Sequence, residues 1–157
     1  MERRTDVSVI ILVYNHEMYL EQALDSVLMQ KTDCNLEVLV GEDASPDGSA
    51  DILRRYEDAY PGFFTVFYRS ENMGGTKNAY DLLSRAKGRY IAFLEGDDFW
   101  TDEWKIQKQA DFLEHYPEYG MAENILPLPV DQRYSREDME YMAERLFQVL
   151  EEIKCTG

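Results

Sequence analysis

The sequence predicts an α/β fold in which a mostly parallel sheet carries helices on both faces. Short apolar runs rich in β-branched residues alternate with segments whose apolar residues recur at helical spacing. Their order is strand, helix, strand, helix, strand, helix, strand, which is typical of a parallel sheet with right-handed crossovers. The chain has 157 residues, of which 45 % are hydrophobic and 13 % aromatic, enough for one domain with a real core.

The first two strand–helix pairs occupy the region before residue 61. Val7–Tyr14 is nearly all apolar and too short for a helix, which predicts a central strand. A helix follows from about Met18 to Gln30, because its apolar residues recur on one face. Leu36–Val40 is predicted to be a second buried strand, and Ser49–Tyr60 the second helix, which stops at Pro61.

A third pair and a fourth strand complete the alternation. Phe64–Tyr68 is the third predicted strand, and a helix is expected from about Lys77 to Lys87. Gly88 is predicted to close that helix as its C-cap. Ile91–Leu94 is a continuous apolar run, which predicts a buried strand.

Carboxylates crowd the end of the fourth strand. Glu95, Asp97 and Asp98 flank Gly96, where the strand should stop. Ligands of parallel sheets bind at the carboxyl ends of strands, and crowded carboxylates need a compensating cation. These residues therefore predict a site for Mg²⁺ or Mn²⁺ that would also hold a diphosphate. The alternative is an acidic turn in which Asp98 or Thr101 caps the next helix.

Each of the other three strands is also followed by residues that could bind a ligand. These residues are Tyr14, Asn15 and His16 after the first strand, Glu42 and Asp43 after the second, and Asn72, Gly74 and Gly75 after the third. Four such loops at one edge of a sheet predict a nucleotide-type site. The G-x-G-x-x-G fingerprint and the G-x-x-x-x-G-K-[ST] phosphate loop are absent, which disfavours NAD enzymes and P-loop NTPases.

The charge and the cysteine content restrict the partners and the compartment. A formal net charge of −15 argues against nucleic acid or an anionic membrane surface as the main partner, since both need a basic face. The apolar run near the amino terminus is too short to span a bilayer and lacks a signal-peptide cleavage site. Cys34 and Cys155 are predicted to be free thiols. We therefore expect a cytoplasmic protein, with association at the inner face of the membrane left open.

Several sequence motifs occur together between about residues 7 and 119. They are Val9–Asn15, Gly41–Ser49, Glu71–Gly75, Ala86–Asp98 and Phe99–Asp102. In order and spacing they resemble family 2 glycosyltransferases, inverting enzymes of the nucleotide-sugar-binding GT-A fold. The resemblance implies a divalent metal (Mn²⁺ or Mg²⁺) and sugar transfer from a nucleotide sugar, with a UDP-sugar expected. The acceptor would be a hydroxyl of a saccharide or lipid-linked molecule in cell-surface polysaccharide synthesis.

The resemblance assigns a nucleotide-binding role to residues after the first two strands. Tyr14 would pack against the base, with Asn15 beside it; the alternative is an ordinary core tyrosine. Asp43 would accept a hydrogen bond from the base N–H, and Glu42 is the weaker half of that pair. The alternative role of Asp43 is to cap the turn that follows.

Residues after the third and fourth strands would contact the rest of the donor. Asn72, Gly74 and Lys77 would lie near the ribose and phosphates; the alternative is a glycine turn with a solvated lysine. Asp98 would bind the metal, and Asp97 the ribose or the metal. A further carboxylate must act as general base toward the acceptor.

The resemblance stops near Tyr119, which predicts a nucleotide-sugar-binding domain at 1–120 and a linker with an amphipathic helix at 121–157. Residues 124–153 resemble the last segment of pyridoxal-phosphate-dependent sugar aminotransferases, but without the rest of such an enzyme they imply no such cofactor. Either a fusion or a divergent family tail would explain them.

The later part of the chain leaves the catalytic base unassigned. Glu123 and Asp131 are the late carboxylates before the last helix, and neither is predicted to be the base, which is expected to be missing from this chain.

An apolar stripe over Met139–Ile153 is expected to cover apolar surface within the chain or in a homo-oligomer. A remnant that binds nucleotide and metal without turnover is the alternative to an active transferase. A nucleotidyltransferase is disfavoured, because no glycine-rich, basic loop follows the first strand.

Overall fold

The computed structural model describes residues 6–115, which form a four-stranded parallel sheet with helices on both faces. The predicted α/β fold is therefore confirmed. The strands are β1 (Val7–Val13), β2 (Leu36–Glu42), β3 (Phe64–Tyr68) and β4 (Tyr90–Glu95). The helices are α1 (Leu20–Leu28), α2 (Ser49–Ala59), α3 (Gly75–Arg85) and α4 (Lys105–His115). The predicted domain boundary near residue 120, the tail and its last helix lie outside the described residues.

The strands lie in the order β3-β2-β1-β4. Because they are parallel, the carboxyl ends of all four lie along the same edge of the sheet. Every neighbouring pair is parallel, with Val13 beside Glu42, Glu42 beside Tyr68, and Leu12 beside Glu95. The four loops that follow the strands therefore leave from the same edge. No helix within residues 6–115 has the length and apolar character needed to cross a bilayer.

The two faces of the sheet are covered unequally. On one face, α1, α2 and α4 pack against alternate residues of β1, including Val9 and Ile11, which are fully buried. On the other face, Leu82 of α3 packs against Ile10 and Leu39. Alternate residues of a strand point to opposite faces, so β1 is buried on both sides. Its almost unbroken apolar sequence follows from that position.

The prediction that the apolar run of β4 is wholly buried is wrong. Ala92 and Leu94 are buried on the face with three helices, but Phe93 is 46 % exposed. The reason is that β4 lies at the edge of the described sheet and α3 packs over β1 and β2. The side of β4 that carries Phe93 therefore lies next to α3 rather than beneath it.

Gly88 has a different role from the predicted helix cap. Helix α3 ends at Arg85, and its C-cap Ala86 has an extended backbone (φ −62°, ψ 136°). Gly88 instead runs against β1, where its N–H donates to Ser8 Oγ at 2.8 Å. A Cβ on Gly88 would overlap the Ser8 backbone nitrogen and lie 2.7 Å from Ser8 Oγ. Close approach to the backbone of β1 explains why glycine is needed here.

Replacing Gly88 by alanine should therefore destabilise the fold by about 1–3 kcal/mol, the usual cost of forcing extra atoms into a packed site. The matched control is Gly75→Ala in the first turn of α3, where a Cβ would meet no atom within 4 Å. That change should be neutral or stabilise by up to about 1 kcal/mol, because glycine is a poor helix former. Urea unfolding of both variants measures the difference, and equal stabilities would contradict the close-approach explanation.

Candidate functional site

Hydrogen bonds join the loop after β1 to the loop after β2 and to the first residue of α2. The backbone N–H of Asn15 donates to Ser45 Oγ at 3.1 Å, and that of His16 to Ser49 Oγ at 3.0 Å. Asn15 has a positive φ of 61°, a conformation that asparagine tolerates better than most residues. The serine hydroxyls therefore hold the first loop in a turned conformation beside the end of β2. Sequence reasoning did not assign this role to the serines.

Asp43 joins the end of β2 to the loop after β3. Its side chain is buried and accepts two backbone N–H groups, from Met73 to Oδ1 at 2.8 Å and from Gly74 to Oδ2 at 2.9 Å. Gly74 has a φ of 86°, which glycine adopts without strain, and α3 starts at the next residue. A carboxylate has about four lone-pair sites, so these two hydrogen bonds leave acceptor capacity on Asp43 unused.

The capping role considered for Asp43 belongs to its neighbour. Glu42 is 3 % exposed, and its Oε1 accepts the backbone N–H of Ser45 at 2.7 Å. Glu42 therefore stabilises the turn after β2. The two adjacent acids therefore have different roles. Glu42 stabilises the loop after β2, and Asp43 binds the loop after β3.

The remaining predicted nucleotide-binding side chains lie at the surface of this edge. Tyr14 follows the last residue of β1 and is 45 % exposed, so the alternative of a core tyrosine is wrong. Asn72 and Lys77 are exposed as well, and Lys77 is the third residue of α3. An exposed aromatic ring and an exposed lysine at this edge are available to a ligand.

The loop after β4 packs against the first loop through Gly96. The Gly96 N–H donates to Leu12 O at 2.8 Å, and a Cβ there would lie 2.6 Å from His16 Nδ1. His16 Nε2 lies 3.8 Å from Asp97 Oδ1. A backbone hydrogen bond from Asp98 N to Glu95 O at 3.1 Å then closes a tight turn. Gly96 thus allows the acidic residues to approach the loop after β1.

The electrostatic environment of this turn is unfavourable for negative charge. The pKa of Glu95 is raised above its ordinary value, although part of the side chain reaches solvent. The largest cause of the raised pKa is loss of solvation, and the second is repulsion from Asp97. Asp98 contributes to the same rise, and His16 opposes it. A bound cation would relieve this repulsion.

The acidic residues fit a metal ion that shares its ligands with a substrate. Among residues 6–115, no three His, Cys, Asp or Glu side chains converge into a metal site made by protein alone. Mg²⁺ is commonly held by one or two carboxylates together with substrate phosphates, and Asp97 and Asp98 offer such oxygen ligands. The oxygen donors of this turn therefore suit a hard divalent ion rather than a soft one.

The alternative for this segment is an acidic turn in which Asp98 or Thr101 caps the next helix. The structure does contain an acidic turn, but a different residue caps the helix. Helix α4 begins at Lys105. Its start is stabilised by Asp102, whose Oδ1 accepts the Trp104 N–H at 2.9 Å. Neither Asp98 nor Thr101 occupies that position, so the cap lies beyond the acidic turn.

Comparison with known protein families identifies the group to which this arrangement belongs. The family model described as glycosyl transferase family 2 matches residues 8–151. The chain belongs to glycosyl transferase family 2. The predicted likeness to that family is therefore confirmed, and the match extends past residue 119, where the resemblance was expected to stop. It includes most of residues 124–153, and the likeness of that segment to sugar aminotransferases is not supported.

Curated proteins with similar sequences include a glucosyltransferase and a teichoic acid biosynthesis protein. The chain is 36 % identical over 108 residues to WfaP of Escherichia coli, a UDP-Glc:α-D-GlcNAc-diphosphoundecaprenol β-1,3-glucosyltransferase, covering 69 % of this chain and 41 % of WfaP. It is 38 % identical over 127 residues to the minor teichoic acid biosynthesis protein GgaB of Bacillus subtilis, covering 80 % of this chain and 13 % of GgaB. The chain thus spans less than half the length of either relative.

Solved glycosyltransferase structures share the fold. TarS 1–349 of S. aureus in complex with UDP superposes with a TM-score of 0.64 at 27 % identity, over 72 % of this chain and 33 % of that one. The mannosyltransferase PcManGT of Pyrobaculum calidifontis, in complex with GDP-Man and Mn²⁺, gives 0.63 at 27 % identity, over 71 % of this chain and 33 % of that one. The α/β fold is thus of the GT-A type.

Proposed function

We propose that this chain forms the donor-binding part of an inverting, metal-dependent glycosyltransferase. It would transfer a sugar from a nucleotide sugar, with a UDP-sugar as the expected donor, to an acceptor hydroxyl in cell-surface polysaccharide synthesis. The observation that carries the proposal is the buried Asp43 carboxylate, which ties the loops after β2 and β3 together at the edge that bears Asp97 and Asp98. The names of WfaP and of the TarS complexes support a uridine nucleotide.

The nucleoside would bind between the first three loops. Asp43 keeps unused lone pairs and would accept the N–H of the base, which a pyrimidine such as uracil supplies. The exposed ring of Tyr14 would stack on the base, with Asn15 beside it. Asn72 and Gly74 would lie near the ribose, since the Asp43 carboxylate holds their loop. These roles are the ones that the family resemblance implies, and they are supported by the location of the residues in the loops that follow the strands.

The diphosphate would lie between the start of α3 and the acidic turn. The first N–H groups of a helix attract anions, and the ammonium group of Lys77 adds positive charge. Asp98 would hold the divalent ion, with Asp97 on the ion or the ribose. When bound, that ion stabilises the charge that grows on the leaving diphosphate. The acceptor oxygen would attack the anomeric carbon and lose its proton to a carboxylate, and none of residues 6–115 is assigned that role.

Calorimetric titration of UDP into the full chain tests the proposal. We expect binding that is at least about tenfold tighter with Mn²⁺ than with EDTA, because the ion neutralises both diphosphate and carboxylates. GDP and CDP serve as matched controls, since they share the diphosphate and differ in the base. Absence of UDP binding under all conditions would overturn the proposal. UDP binding without sugar transfer or hydrolysis from any UDP-sugar would identify a binding module instead of an active transferase.

A further inference from the structure

A buried amide connects the end of β2 with the first turn of α3. Asn78 is 1 % exposed, and its Nδ2 donates to Gly41 O at 2.8 Å. Its Oδ1 accepts two hydrogen bonds from Arg69, at 3.2 Å from Nε and 3.1 Å from Nη2. A Cβ on Gly41 would overlap this amide, so β2 and Asn78 are in direct contact. The guanidinium fixes which end of the amide faces β2, because it can only donate.

Three further contacts fix the position of Arg69. Its backbone N–H donates to Glu42 O at 2.9 Å, and its Nη2 donates to Asp81 Oδ2 at 2.7 Å. The guanidinium also lies over the Phe67 ring, 5.7 Å from its centroid. Arg85 and then Arg69 hold the pKa of Asp81 well below its usual range, at about 2. Asp81 therefore stays ionised and keeps both guanidinium groups in place near neutral pH.

The hydrogen bond from Asn78 to Gly41 is a second attachment between β2 and the start of α3, beside the one that Asp43 makes. Gly41 lies two residues before Asp43, and Asn78 lies four residues after Gly74, which is about one helical turn. Asp43 binds the residue that precedes α3, and Asn78 binds from within the first turn of α3 back to β2. Two attachments one turn apart fix both the position and the direction of the helix start.

We propose that Arg69 is a positioning residue for donor binding, which acts through Asn78 to set the first turn of α3 against the donor's diphosphate. This inference rests on the proposed function. Arg69 is part-buried, with 14 % of its side chain exposed, and every contact named above is internal. Its contribution is thus to the geometry of the phosphate side of the site, and the base, held by Asp43 and Tyr14, should be affected much less.

The test compares two arginines of the same cluster. Arg69 and Arg85 both pair with Asp81 and both lie over Phe67, but only Arg69 hydrogen-bonds Asn78. In the full chain, Arg69→Lys should weaken UDP binding by about tenfold or more, since small displacements at such sites are costly. Uridine binding should change by less than about threefold, because the base-binding contacts remain. Arg85→Lys should leave both affinities unchanged.

A second variant and a folding measurement separate positioning from general instability. Asn78→Asp keeps the partner of Arg69 but cannot donate to Gly41 O, so it should reproduce the selective loss of UDP affinity. Circular dichroism and urea midpoints establish that each titrated variant is folded. Equal losses for UDP and uridine, or unchanged UDP affinity in folded Arg69→Lys and Asn78→Asp, would overturn the inference while wild-type binding still supports the proposed function. Failure of the wild-type chain to bind UDP would overturn both.

Discussion

Replacing Asp98 by asparagine is expected to remove the dependence of UDP binding on Mn²⁺. The substitution keeps the size of the side chain but replaces a charged oxygen ligand by a neutral amide, which holds a hard divalent ion poorly. We expect UDP affinity in the presence of Mn²⁺ to fall by at least about tenfold, to the level measured in EDTA, which is the range seen for loss of an outer-shell partner of a metal. Calorimetry with Mn²⁺ and with EDTA measures the effect, and affinity in EDTA should change little.

Asp102→Asn is the matched control for this variant. Asp102 lies four residues further on, where its carboxylate pairs with Lys108 Nζ at 2.6 Å and caps Trp104 at the start of α4. Its replacement removes the same charge without touching the turn after β4, so Mn²⁺-dependent binding should persist. If Asp98→Asn bound UDP with the wild-type response to Mn²⁺, or if Asp102→Asn lost it equally, the assignment of Asp98 to the metal would be wrong.

The fold could be predicted from the sequence because the apolar central strand is compatible with few sheet arrangements. The apolar run of β1 has no polar face, so it must be covered on both sides, and the helical segments between strands supply those covers. Parallel strands then place the four polar loops at one edge. The family motifs coincide with those loops, which is why candidate residues such as Asp43 and Asp98 could be named before the structure.

Features that depend on contacts between distant residues could not be predicted in the same way. The exposure of Phe93 follows from the position of β4 at the edge of the described sheet, which a run of apolar letters does not reveal. Gly88 has the sequence position of a helix cap, yet its lack of a side chain serves contact with Ser8, 80 residues away along the chain. Asn78 looks like an ordinary helix residue and Arg69 like an ordinary loop residue until the fold brings Asn78 to Gly41 and Arg69 to Asn78.

Asp43→Asn should lower both the stability of the chain and its affinity for UDP. The Asp43 carboxylate accepts the N–H groups of Met73 and Gly74 with its two oxygens, whereas an amide has one acceptor oxygen and an NH₂ group. One buried N–H would then face another donor, at a cost of about 1–3 kcal/mol in the free energy of unfolding. UDP affinity should fall by at least about tenfold, since the lost charge also weakens the expected bond to the base N–H.

The adjacent acid provides the control that separates these effects from burial alone. Glu42 is as buried as Asp43, but its carboxylate accepts the Ser45 N–H through Oε1, a bond that the oxygen of glutamine can keep. Glu42→Gln should therefore cost less than about 1 kcal/mol and leave UDP affinity within about threefold of wild type. Urea unfolding and calorimetry of the two variants give the comparison. Similar losses in both would show that buried charge, rather than the link from β2 to the start of α3, governs this edge, because of the two acids only Asp43 makes that link.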